Sequence, residues 1–174
     1  MLVYAKPYEE QVKKLFAETA FDMRYKFANL STFYDEKKIP DSTWEGNHFV
    51  SMYKDQVIGY ISYSIDRISH AVSGLHIMHF EEKYSYIFGR DVIAAIEDIF
   101  VKFRFRKINF TVIIGNPIEQ TYDRLVKEAG GRIVGIRKQE SMLMDGLIYD
   151  MKLYEILRDD YITATAKRRR ADEN

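Results

Sequence analysis

LHIMHFEEKYSYIFGRDVIAAIEDIFVKFRFRKINFTVII, residues 75–114, is the stretch whose reading decides the fold. It opens on a short apolar run, Leu75–Phe80, that reads as a strand. After a charged and aromatic joint the period changes. Val92, Ile96, Ile99 and Phe103 recur on one helical face, widened by Ile93 and Phe100, which predicts a long helix from about Ser85 to Phe105. The stretch closes on INFTVII within Lys107–Ile114, a near-continuous β-branched and aromatic run of the kind found in a strand covered on both faces. Strand, long helix, strand implies two parallel strands joined by a crossover.

Working outward towards the C-terminus, Asn116-Pro117-Ile118-Glu119 predicts a helix start. Asparagine can cap, proline suits the first turn and Glu119 can close a capping box. The stripe Ile118, Tyr122, Leu125, Ala129 runs on to Gly130-Gly131, a stop signal. Two strands follow, Ile133–Ile136 extended towards Leu143, and Leu147–Tyr154, with Asp145-Gly146 as the hairpin turn. From Asp159 the apolar pattern fades and the chain ends KRRRADEN, which predicts a frayed, solvated charged tail.

Working outward the other way, His48–Tyr53, Val57–Ile65 and Leu75–Phe80 read as three consecutive strands. Lys54-Asp55-Gln56 is a tight hairpin and Ser73-Gly74 a break before the third strand. The middle strand should present Val57, Ile61, Tyr63 and Ile65 on one apolar face. Leu2–Lys6 is a further strand, ended by Pro7. Tyr8, Val12, Leu15, Phe16 and Thr19 mark a helix, and Asp22 can cap a second one striped by Met23, Phe27, Leu30 and Tyr34. Pro40–Asn47 is turn-like. The expected fold class is mixed α/β: a mostly antiparallel central sheet with one parallel pair, flanked by helices on both faces.

Composition narrows the function. At 174 residues the chain is sized for one domain. It contains no cysteine, which excludes thiol catalysis, disulfides and thiolate zinc sites, and no metal-ligating spacing stands out. Lys plus Arg number 26 and Asp plus Glu 26, so nucleic acid is not an expected partner. No apolar run approaches the ~20 residues of a membrane span, and MLVYAKPYEE lacks the basic-then-apolar order of a secretion signal. The expectation is a cytoplasmic protein without a membrane partner; a homodimer is compatible with the sequence.

The element order resembles the GNAT superfamily of N-acetyltransferases over about residues 1–157. The residues that carry the resemblance are Gln56-Val57-Ile58-Gly59-Tyr60, the run from Ile77 to Gly89 into a helix, and Asn116 through Ala129-Gly130-Gly131 followed by Arg132-Ile133-Val134-Gly135. Asp145-Gly146-Leu147-Ile148-Tyr149-Asp150 with Tyr154-Glu155-Ile156-Leu157-Arg158 is similar to the branch that acetylates ribosomal-protein N-termini. The resemblance implies a GNAT-like acetyltransferase domain over 1–158, a charged tail over 159–174, and direct transfer of acetyl from acetyl-coenzyme A (acetyl-CoA) to an amine acceptor, protein or small molecule. The parallel pair, Leu75–Phe80 and Lys107–Ile114, should be splayed. Ile77, Met78 and His79 would offer their edge to the pantetheine arm as if it were an added strand. Tyr84, Ser85, Tyr86, Ile87, Phe88, Gly89 and Arg90 would hold the pyrophosphate at a helix start, and Asn116 could donate to the cofactor.

The family's loop pattern is Gln or Arg, two residues, Gly, one residue, then Gly or Ala. Here only Gly89 survives, so the loop is degenerate. Ile87 stands where the first glycine belongs and could crowd the phosphates, while Ser85 and Arg90 could compensate. The family's tyrosine acid, four residues before the glycine that ends the helix, falls on Val126. Tyr122, one turn earlier, is the candidate catalytic acid, against a plain core role. His79 is the candidate base or cofactor contact. Trp44 could form an acceptor platform or anchor a satellite core, and Lys167-Arg168-Arg169-Arg170 reads as a solvated tail. The rival reading is a catalytically silent GNAT-fold binding or assembly protein, of the sort phages encode. A third is an enzyme of this fold moving another acyl group or an amino acid.

Overall fold

A computed structural model describes residues 1–28 and 38–172. In chain order the elements are β1 (Leu2–Tyr4), α1 (Glu9–Thr19), β2 (Gly46–Tyr53), β3 (Gln56–Asp66), β4 (Ala71–His79), α2 (Ser85–Phe100), β5 (Lys107–Ile113), α3 (Glu119–Glu128), β6 (Arg132–Met142), β7 (Ile148–Leu157) and α4 (Arg158–Asp172). The seven strands form one sheet in the order β1-β2-β3-β4-β5-β7-β6. Every neighbouring pair is antiparallel except β4 and β5, which run parallel.

Two apolar cores lie on opposite faces of the sheet. One is built from α2, α3 and α4 over Ile58, Ile61, Ile108, Phe110, Tyr154 and Ile156. The other is built from α1 over Val50, Val57, Tyr60 and Met78. This is the mixed, helix-covered sheet that the alternation of periods predicts.

Several local readings need correction. β3 does not keep one apolar face, because its register with β2 shifts at Ser51/Met52 and leaves Ile58 as an extra residue. A one-residue bulge swaps the faces. Val57 therefore packs in the α1 core, and Ile61 and Tyr63 in the other. Ser73-Gly74 is not a break before the strand but a bulge inside β4, opposite Ser62/Ser64, with Gly74 at φ +63°. The long helix stops at Phe100, short of the expected 105.

Asp22 does cap, accepting from the Arg24 N–H at 2.9 Å, but the helix among the described residues is only a 3-10 turn, Met23–Tyr25. Leu30 and Tyr34 of its expected stripe lie outside the described residues. α3 opens at Glu119 rather than at Asn116. It ends as expected: Gly130, at φ +74°, gives its N–H to Lys127 O and Gly131 donates to Val126 O, a Schellman closure. The supposed frayed tail is helix α4, seated by Tyr161, whose ring stacks on Phe100 at 4.7 Å.

Candidate active site

The parallel pair is joined at one end only. Ala71 pairs with Lys107 and Val72 with Ile108, and no further register holds β4 to β5. Beyond Val72 the strands diverge: β4 stays with β3 to His79, while β5 stays with β7 to Ile113. The result is a wedge that opens towards the C-terminal ends of both strands.

Backbone alternation fixes which groups face it. The Phe80 N–H donates to Ile58 O at 3.0 Å, and Met78 sits opposite Tyr60 in the β3 register. Residues 78 and 80 thus turn their backbone groups to β3, and Ile77 and His79 turn theirs to the wedge. The Met78 side chain is buried in the α1 core. Of the expected edge Ile77-Met78-His79, only the first and last present open peptide groups.

His79 lies on the α2 side of β4. Its ring stacks on Phe88 with centroids 4.6 Å apart and planes 7° from parallel. Phe88 covers the Gly59–His79 pair so closely that a Cβ at Gly59 would run into its ring. Glycine is needed there for space rather than for an unusual φ. The His79 Nε2 is buried without a hydrogen-bond partner, a costly condition in a folded protein unless a ligand completes it. Burial also pushes the imidazole below its ordinary value, against a smaller opposing pull from the Glu81 backbone. The ring is therefore neutral around pH 7.

Tyr122 flanks the other bank. From α3 its ring meets Phe110 of β5 edge-on at 5.7 Å, on the same face of the sheet as Phe88 and His79. Burial holds its phenol protonated well above the ordinary range. The residue in the family's tyrosine register, Val126, is a core side chain 2% exposed. The angular setting of α3 comes from a cluster that the sequence did not announce. Lys152 on β7 reaches Glu119 at 2.5 Å and Asp123 at 2.9 Å, and the Tyr154 hydroxyl donates to Asp123 at 2.6 Å. These partners lie about thirty residues apart in the chain, beyond any local pattern. Asn116 accepts the Ile118 N–H through Oδ1 at 3.1 Å, and Glu119 accepts the Gly115 N–H at 2.9 Å. The expected capping box does not form: the N-cap of α3 is Ile118, without a side-chain cap, and Asn116 and Glu119 instead brace the turn ahead of the helix.

The joint between β4 and α2 differs from the expected phosphate loop. A 3-10 turn, Glu82–Tyr84, runs directly into α2. The Tyr84 N–H is spent on Glu81 O and the Ser85 N–H on Glu82 O. The Ser85 hydroxyl also donates to Glu82 O, at 2.5 Å, so it offers no free donor. Ile87 is half-buried and packs against the core under α2. Tyr86 and Arg90 are exposed, and nothing lies within 4 Å of a Cβ built on Gly89. Arg90 and the open flank at Gly89 lie beyond the turn, in α2.

On the α1 face the segment 22–28 crosses the wedge mouth. The Tyr25 hydroxyl donates to Phe80 O at 3.4 Å, His76 Nε2 meets Ala28 O at 3.0 Å, and Lys26 reaches Asp145 at 2.7 Å in the β6–β7 turn. Trp44 lies elsewhere, with Arg67 stacked 4.4 Å above its ring. It lines an open cavity of about 630 Å³ with His48, Ser62 and Gly74, at the joined end of β4.

No family model matches the chain, and no curated protein matches it. Solved structures do. A structure described as a probable acetyltransferase aligns over 92% of this chain and 93% of its own, at 16% identity and a TM-score of 0.72. A probable acetyltransferase of the GNAT family from Chromobacterium violaceum aligns over 92% of this chain and 87% of its own, at 15% identity and a TM-score of 0.69. A point mutant of the spermidine N-acetyltransferase SpeG from Vibrio cholerae aligns over 90% of this chain and 79% of its own, at 19% identity and a TM-score of 0.58. At such identities the likeness establishes architecture alone, and the architecture, with its half-zipped parallel pair, is the GNAT acyltransferase fold.

Proposed function

We propose that this chain transfers an acetyl group from acetyl-CoA to an amine. The observation that carries the reading is the wedge itself: two parallel strands paired at Ala71 and Val72 only, with the peptide groups of Ile77 and His79 facing the gap. An extended, amide-bearing arm can pair with such an edge as a strand would. The buried, unpartnered His79 Nε2 supports the same reading, since it marks where a polar ligand would complete the site. Arg90, beside the open flank of Gly89, supplies positive charge for the phosphates.

Acetyl-CoA supplies an activated thioester; the chain's own residues position it and handle protons. The acceptor must lose a proton to become nucleophilic, and neutral His79 is suited to take it through Nε2. The amine nitrogen then bonds to the carbonyl carbon and the carbon–sulfur bond breaks. A wedge-facing N–H of β4 stabilises the oxygen charge that develops. Tyr122, kept protonated by burial, gives a proton to the departing sulfur, and the second proton that the nitrogen sheds as it becomes an amide restores the phenol. An amide and a free thiol result, with no enzyme-bound intermediate. The similarity of Asp145–Asp150 and Tyr154–Arg158 to the ribosomal-protein branch leans towards a protein amine as acceptor, while a SpeG structure among the fold's neighbours keeps small amines in view. Calorimetry with acetyl-CoA tests the donor. Saturable binding in the micromolar range is expected; no heat at millimolar ligand would refute the reading and favour a catalytically silent protein.

A further inference from the structure

The Lys26 ammonium sits in a small chamber that is complementary to it. Asp145 Oδ2 lies 2.7 Å from Nζ and the Tyr149 hydroxyl 3.1 Å away. The Phe27 and Tyr149 rings stand 4.8 and 5.3 Å from Nζ, and they meet each other edge-on at 5.7 Å. One carboxylate, one phenol and two aromatic faces form a receptor for an alkylammonium group. The carboxylate and the phenol are held apart from Lys26, while Phe27 adjoins it on the same segment. Asp145 Oδ1 accepts the Leu147 N–H at 3.0 Å and Oδ2 accepts the Tyr149 hydroxyl at 2.7 Å. Both groups are fixed by the β6–β7 turn, so the carboxylate would stay aimed if the lysine left.

Lys26 comes from a different part of the chain, 119 residues away. It rides on the 22–28 segment across the wedge mouth, on the face opposite α2, and the Tyr25 and Ala28 contacts hold that segment to β4.

We propose that Asp145, Tyr149 and Phe27 form an alkylammonium subsite for an acceptor with a second cationic group, and that Lys26 occupies it in the free protein. The proposal deepens the acetyl-transfer reading by assigning a dicationic or polycationic acceptor class. One ammonium would take the Lys26 position while an amine further along the molecule enters the wedge. A tethered lysine competes at an effective concentration in the millimolar range. Removing it should therefore strengthen capture of an outside ammonium.

The test uses 1,4-diaminobutane with the full chain and no acetyl-CoA. Lys26→Met should bind the diamine about tenfold more tightly than the wild type, and adding Asp145→Asn should abolish that gain. Equal affinity in Lys26→Met and the wild type, or binding that survives Asp145→Asn, would overturn the proposal. A second readout needs no variant. The Lys26 ¹⁵Nζ proton correlation in the wild type, visible while the ammonium is hydrogen-bonded, should disappear as diamine is added; persistence at saturating diamine would equally overturn it. Capture of diamine by a protein that ignores acetyl-CoA would sink the transfer reading and leave the subsite standing, and the converse result would do the opposite.

Discussion

His79 on β4, stacked on Phe88, and Tyr122 on α3, edge-on to Phe110 of β5, are both perturbed by burial. For His79 the sign of the pH dependence follows directly. Its folded pKa lies below the ordinary 6.5, so the unfolded chain binds the proton more readily. Stability is then greatest above pH 6.5 and falls as the pH drops towards the folded value. His79→Gln should flatten that part of the profile: the fall in melting temperature between pH 7.5 and 5 should be smaller than in the wild type. At Tyr122 the phenol is the group at stake and the ring is the structural part. Tyr122→Phe should lower kcat by about 10²-fold with little change in acetyl-CoA affinity, because the ring that meets Phe110 is kept. A loss of melting temperature without a kinetic effect would make it a core tyrosine only. Gly59 is a third residue whose meaning is geometric. Gly59→Ala should cost about 2 kcal/mol by overpacking, and it should move Phe88 off the His79 ring, as the aromatic near-ultraviolet signal would report.

At the scale of elements, legibility followed the local signals. The strand–helix–strand run of 75–114, the Asp145-Gly146 turn and the Gly130-Gly131 stop were all readable, because each rests on contacts close in sequence. α4 was not, since residues 158–171 carry no apolar stripe and Tyr161 is the one buried apolar side chain among them. The bulge at Ile58 was equally silent: a run apolar on both sides gives no sign of where its faces exchange. The fused 3-10 turn Glu82–Tyr84 also escaped, so the amides of Tyr84 and Ser85 were expected to be free when they are spent. Tyr161→Ala should destabilise the protein by about 3 kcal/mol and release α4, seen as faster proteolysis after Arg158. Gly130 belongs to this docking too, because a Cβ there would lie 2.8 Å from Asp160 O.

For the molecule as a whole, the fold and the position of the wedge were legible, but the pairings that set its walls were not. Lys26 with Asp145, and Lys152 with Glu119 and Asp123, join residues that only the folded chain brings together, and only the fold leaves the His79 Nε2 buried without a partner. Function rests on whether the open side of β4 accepts an added strand. Amide hydrogen exchange measures this group by group. In the free protein the Ile77 and His79 amides should exchange fast, and the Met78 amide, paired to β3, slowly. Saturating acetyl-CoA should slow Ile77 and His79 and leave Met78 unchanged, whereas no added protection at either wedge-facing amide would contradict the account.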